Sequence, residues 1–272
     1  MLFFYNRDTR AAGSGELDAG GDFVNLKDFP AGQFGDWTHI VPGGGKLFFY
    51  SKDTRAAGSG ELDAGGDFVN LKDFPAGQFG DWTHIAPGGG KLFFYSKDTR
   101  AAGSGKLDAG GDFVNLKDFP AGQFGDWTHI VPDGVQLFFY SKDTRAAGSG
   151  KLDAGGDFVN LKDFPAGQFG DWTHIAFDED ASKLFFYSKG TRAAGSGELD
   201  AGGDFVHLKD FPAGQFGDWT HIVPARRKLF FYNKNTRAAA SGELDASGDF
   251  VHLQDFPAGQ FGDWTHIGAT QL

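Results

Sequence analysis

The run Leu-Phe-Phe-Tyr begins at Leu2, Leu47, Leu92, Leu137, Leu184 and Leu229, so the fold must accommodate one short unit six times. Successive starts lie 45 residues apart, except for a 47-residue step from Leu137 to Leu184 that reflects a two-residue insertion near Asp178. Trp37, Trp82, Trp127, Trp172, Trp219 and Trp264 keep the same step. Six units of about 45 residues fill positions 1–272 as a single domain and leave no stretch for a linker. Repeat periods of roughly 20–50 residues belong to solenoids, propellers or arrays.

Within one unit the signals are strand-like. Lys46 to Tyr50 is a short aromatic run, Ala56 to Leu62 a small-residue stretch, and Phe68 to Phe74 alternates apolar with polar. Trp82 to Ala86 is another short aromatic and β-branched run. Turn chemistry separates them at Ser51–Thr54, Asp63–Gly66, Phe74–Gly77 and Pro87–Gly90. No window carries a helical period. Four short strands in each of six units predict an all-β, six-bladed β-propeller of four-stranded antiparallel blades. The chain opens on Leu-Phe-Phe-Tyr and ends just after Trp264-Thr265-His266-Ile267. Pairing of these N- and C-terminal strands would close the ring, whereas an open solenoid would need polar caps.

Composition narrows the function. With 36 acidic against 25 basic residues the net charge is −11, which argues against nucleic acid or an anionic membrane as partner. Zero Cys removes disulfides and thiolate chemistry, and no apolar run approaches the length of a membrane span. The first residues lack the pattern of a signal peptide, which leaves localisation open between cytosolic synthesis and a mature secreted chain.

With Trp-Thr-His-Ile innermost and Phe-Val-Asn-Leu outermost, Ser51–Thr54 shares a rim with the connection Pro75–Asp81. The opposite rim varies in length and charge, from Pro87-Gly88-Gly89-Gly90 to Phe177 through Lys183 and to Pro224-Ala225-Arg226-Arg227-Lys228. The connection Phe-Pro-Ala-Gly-Gln-Phe-Gly-Asp-Trp is unchanged in all six units. The constant rim therefore supplies the candidate ligand residues. They are Trp37, Trp82, Trp127, Trp172, Trp219 and Trp264; Asp36, Asp81, Asp126, Asp171, Asp218 and Asp263; Arg10, Arg55, Arg100, Arg145, Arg192 and Arg237; and Gln33, Gln78, Gln123, Gln168, Gln215 and Gln260. Aromatic faces beside amide, carboxylate and guanidinium groups suit a sugar, whose C–H face stacks while its hydroxyls are read by donors and acceptors. Tyr50 and Phe79 belong to the same rim. Packing between blades is the commoner use of such a Trp, and Arg55 could equally tie loops together through Asp81.

The other groups read as structural. His39, His84, His129, His174, His221 and His266, one per inner strand, read as satisfied structural histidines rather than ion ligands. Asn70 and Lys72, replaced elsewhere by His207 and Gln254, read as a solvated face. Asp63 to Asp67 lacks the spacing of a calcium loop. No metal or cofactor is expected. Six identical sets of groups argue against an enzyme, because catalysis needs unlike groups brought to one place.

Near-identical repeats of this length, with an aromatic strand such as Leu47-Phe48-Phe49-Tyr50 and a Gly-rich connection before Trp82, resemble the repeated β-propeller lectins, the tachylectin-like group in particular. The resemblance covers all six repeats and is architectural. It implies sugar sites between neighbouring blades and recognition of foreign glycans. Six blades stand where that group has five, and the motif wording differs, so the ligand does not carry over. The Trp-Asp repeat propellers share the period but not the signature, since Asp81 precedes Trp82. The expectation is a monomeric, multivalent carbohydrate-binding ring whose partners are glycans or glycoconjugates. The alternatives are a designed or recently amplified symmetric scaffold, or a protein-binding propeller, without sugar activity.

Overall fold

Successive side chains of a strand point to opposite faces, so Leu47 and Phe49 face one way and Phe48 and Tyr50 the other. All four are buried. Leu47 and Phe49 pack with Phe3, Tyr5, Phe29 and Phe34 of the preceding unit, and Phe48 and Tyr50 pack with Leu92 and Phe94 of the following one. A strand apolar on both faces requires a neighbour on each side. In the computed structural model, which describes residues 1–178, 182–225 and 228–269, every unit has both. The described residues form 24 strands in six four-stranded antiparallel sheets. Six aromatic clusters fill the six junctions between them.

In the second blade the strands run, from inside outwards, His39–Gly43, Lys46–Tyr50, Ala57–Leu62 and Phe68–Phe74. The ring closes as expected: Leu2 pairs with Ala269, Phe3 with Gly268, Phe4 with Ile267 and Tyr5 with His266. One boundary differs from expectation. The inner strand begins at His84 rather than Trp82 and extends through Pro87 and Gly88, which pair with Leu92 and Lys91. The hairpin is thus a two-residue turn, and Trp82 lies outside the ladder. Residues 179–181 and 226–227, part of the charged variable rim, lie outside the described residues. Among the described residues no helix is long and apolar enough to cross a membrane.

Hydrogen bonds lock neighbouring blades together. Buried Ser59 donates through Oγ to the Gly111 carbonyl of the next blade at 2.7 Å, and the same bond recurs round the ring to Ser241 and Gly21. Gly111 has φ +84, and a Cβ there would stand 2.6 Å from Ser59 Oγ, so conformation and space both require glycine. An outer belt of ion pairs joins Lys27 to Asp67, Lys72 to Asp112, Lys117 to Asp157, Lys162 to Asp204 and Lys209 to Asp249, at 2.9–3.1 Å. At the closing seam Gln254 reaches Asp22 instead, at 3.4 Å. The expectation of a plain solvated face at Lys72 is therefore corrected: the side chain is exposed but bridges to the next blade.

The inner histidines form a ring of their own. His39 Nε2 lies 3.1 Å from the Thr83 carbonyl, and each His repeats the contact with the next blade until His266 reaches Thr38. A carbonyl only accepts, so Nε2 carries the proton; Nδ1 lies 2.9 Å from the preceding Thr hydroxyl. Burial pushes all six below the ordinary histidine value, and His266 to about 4.

Two measurements check this framework. Below pH 6.5 the unfolded chain takes up protons that the folded histidines refuse, so stability falls as pH drops towards 4. Burial raises Asp133 to about 6, which acts in the opposite sense over part of that window, one group against six. The melting temperature should therefore decline between pH 6.5 and 4, and a flat profile would contradict the buried histidine ring. Ser59→Ala strands the Gly111 carbonyl without its donor and should cost about 1–3 kcal/mol in urea unfolding, with an unchanged m-value.

Candidate functional site

At the junctions beside Trp82 and Trp172 the constant rim opens into clefts of about 340 Å³. Gln78, Phe79, Gly80 and Trp82 line the first from the connecting segment, while Phe94, Gly103, Phe113, Asn115 and Asp118 line it from the face of the following blade. Gln168, Phe169, Trp172, His207 and Asp210 take the corresponding places in the second.

The connection is held from below. The buried Tyr50 hydroxyl donates to the Gly80 carbonyl at 2.7 Å and accepts the Trp82 N–H at 3.1 Å. Burial raises its pKa, and both hydrogen-bonding roles serve the backbone. Tyr50 is thus a clamp and not the exposed rim group expected from sequence. Phe79 is likewise buried and wedged 4.9 Å from Phe113, 5.4 Å from Phe48 and 5.6 Å from Phe74, so it is a plug between blades. From the adjacent hairpin, the Thr54 carbonyl accepts the Gly77 N–H at 3.0 Å and the Arg55 carbonyl accepts the Phe79 N–H at 3.3 Å.

Trp82 is both packing and wall. Its ring lies 5.8 Å from Phe94, and a Cβ on Gly103 would stand 3.6 Å from the indole, so the ring rests on bare backbone. The side chain stays half-buried, and its indole N–H has no protein acceptor among the described residues.

The opposite wall depends on a β-bulge. Ser104 pairs with Lys117 but Gly105 pairs with Asn115, so Leu116 is an extra residue in the outer strand. In a regular strand, residues three apart face opposite sides; the bulge brings Asn115 and Asp118 onto one side. Asn115 Nδ2 donates to Asp118 Oδ2 at 3.2 Å, and the same bond joins Asn25 to Asp28, Asn70 to Asp73 and Asn160 to Asp163. In the last two units His207 and His252 replace the Asn and lie 3.2 Å from Asp210 and Asp255. The reading of Asn70 as solvated face is corrected accordingly: its counterparts line the clefts. The repeated Asn-x-x-Asp or His-x-x-Asp was the only sequence signal for them.

Of the expected site residues, the structure brings Gln and Trp together at the clefts and places Asp and Arg outside the lining. Asp81 is exposed near Lys52, 4.0 Å away; Asp36 meets Arg7 at 2.6 Å, Asp126 meets Lys97 at 3.7 Å and Asp218 meets Lys189 at 3.8 Å. The suggested Arg55–Asp81 ion pair is not formed; the lysine of the same hairpin stands in its place. All six Arg are exposed and left-handed, with φ between 56° and 58°. That conformation costs a residue with a Cβ about 1–2 kcal/mol. Among the described residues none of the six makes an ion pair.

No family model matches the chain, and no curated protein matches it. Solved structures do. The chain is similar to a protein in a nidogen/laminin complex, at 16% identity and TM-score 0.58 over 98% of this chain and 97% of that one. It is similar to a periplasmic gluconolactonase of Pseudomonas aeruginosa, at 13% identity and TM-score 0.59 over 98% of both chains. A protein from Lactobacillus plantarum shows 14% identity and TM-score 0.57, again over 98% of both. At these identities the likeness is one of fold. It bears out the six-bladed propeller and shows no lectin family. The gluconolactonase overturns one expectation, namely the reading against an enzyme, since this chain shares its fold with one. In that protein the same architecture carries catalysis.

The dual role of Trp82 has a measurable consequence. Trp82→Ala should cost about 2–3 kcal/mol in denaturant unfolding, below the ~3–5 kcal/mol of a fully buried Trp. A change near zero would mean that the indole does not pack on Phe94 and Gly103.

Proposed function

We propose that the protein binds carbohydrate at its blade junctions, several equivalent clefts acting on one multivalent surface. The observation that carries the reading is the cleft itself. A half-exposed Trp with an unengaged N–H stands beside a Gln amide, facing an Asn–Asp pair that is exposed and fixed in register by a bulge. An indole edge and face take the C–H side of a pyranose, and the amide and carboxylate groups bond its hydroxyls. A volume of about 340 Å³ is at the small end of ligand sites, in keeping with one or two sugar rings. Weak single sites suffice because engagement of several at once adds ~10²–10⁴ fold in avidity.

A second reading, protein recognition through the same rim, is favoured by the fold shared with a protein in a nidogen/laminin complex. The rim pairs of Lys52 with Asp81 and Lys97 with Asp126 would then be contacts.

A glycan array followed by calorimetric titration separates the two. The carbohydrate reading expects binding with more than one equivalent site per chain, and one site fewer in Trp82→Ala. Silence across neutral, amino and acidic glycans sinks it and leaves protein recognition.

A further inference from the structure

We infer that the six left-handed arginines, which stand outside the cleft lining on the adjoining hairpin turns, recognise an acidic group on a ligand seated in the clefts, so that the preferred ligand is a saccharide carrying a carboxylate or sulfate group. The inference rests on the carbohydrate reading above. The hairpin turn itself needs a left-handed residue where Arg55 stands: Arg55 N–H donates to the Ser51 carbonyl at 2.7 Å, and Ser51 N–H to Ala56 at 3.0 Å. Glycine fills such a place without the Cβ conflict that arginine meets, and asparagine offsets that conflict by local hydrogen bonding. Arginine nevertheless occupies it in all six units, at φ 56–58°. Thr54 is likewise constant in all six units, but the other three positions of the turn have drifted. Ser51 is replaced by Asn6 and Asn233, Lys52 by Arg7, and Asp53 by Gly190 and Asn235. Strain kept while neighbours vary points to a use for the side chain.

No structural use is visible. The chain has 36 acidic residues, yet among the described residues none of the six guanidiniums meets a carboxylate within ion-pair distance. The neighbouring cations do: Lys97 spans Asp126 and Asp143, and Arg7 spans Asp36 and Asp53. Position supplies the remaining link. Arg55 is bonded through its carbonyl to Phe79, and Arg145 to Phe169; Gln78 with Phe79, and Gln168 with Phe169, line the two clefts. The Arg55 charge is felt at the Tyr50 hydroxyl, which clamps the same segment. A guanidinium presents a planar fork of N–H donors that matches a carboxylate or sulfate bidentately. The net charge of −11 repels anions at long range, so attraction must come from these short contacts.

The test compares the wild-type protein with a variant carrying Arg→Gly at positions 10, 55, 100, 145, 192 and 237. Both are titrated with lactose, sialyllactose, N-acetyllactosamine and its sulfated form, and both are melted. Wild type should bind each acidic sugar at least about tenfold more tightly than its neutral parent. Added NaCl should shrink that preference. In the variant the preference should collapse to about one, with an unfolding temperature equal to or above wild type because the strain is relieved. Equal wild-type affinity for acidic and neutral sugars overturns the inference and leaves carbohydrate binding standing. A lower unfolding temperature in the variant also overturns it, by giving the arginines a structural role. If none of the four sugars binds and the glycan array is blank, the carbohydrate reading falls and this inference falls with it.

Discussion

Burial of one strand on both of its faces is the constraint from which the rest follows. Leu-Phe-Phe-Tyr presents large apolar groups alternately left and right, and each unit can cover only one side of its neighbour. An open row of such units would leave one aromatic face bare at each end. A closed ring leaves none, and the pairing of Leu2–Tyr5 with His266–Ala269 brings Phe4 against Phe230 and Phe261 as any internal junction would. Hydrogen bonding then follows the same circle at three radii: the histidine-to-threonine carbonyl ring inside, the Ser-to-Gly bonds in the middle, and the lysine belt outside.

The clefts are a by-product of that packing rather than an addition to it. Tyr50 belongs to the doubly buried strand, and its hydroxyl reaches the backbone on both sides of Asp81. Phe79 fills the junction from above. The connection therefore has little freedom, and Trp82 is delivered onto Phe94 and Gly103 by the same contacts that join the blades. A cleft built this way is preorganised, which would reduce the ordering cost of any ligand held there.

What the sequence made legible was whatever depends on period and side-chain type. The six units, their strands, the closure and the structural histidines are visible because repeat length and apolar alternation survive without knowledge of partners. Register does not. Phe68 to Phe74 reads as a plain alternation, which puts Asn70 and Asp73 on opposite faces; only pairing with Ala57–Leu62 reveals the extra residue that turns them together. Tyr50 and Phe79 were misplaced for a related reason: an aromatic beside a loop looks exposed until the neighbouring blade is known. The alternative that paired Arg55 with Asp81 fails because Lys52 of the same turn takes that place, and nothing in a sequence announces a left-handed turn occupied by arginine.

Six-fold repetition also conceals where the junctions differ. At Trp219 the ring faces Ala240 where the others face glycine, and His252 stands where four junctions have asparagine. The two hairpin turns flanking that junction carry Gly190 and Asn235, whereas the other four units have Asp at this position. Two carboxylates are thus missing and one imidazole is added beside two left-handed arginines, Arg192 and Arg237. In a chain of net charge −11, the local field is what an approaching anion meets within a Debye length of about 8–10 Å. Opposition to a negatively charged ligand is accordingly weakest at this junction, and the ring's electrostatic symmetry is broken in the two blades where its sequence has drifted most.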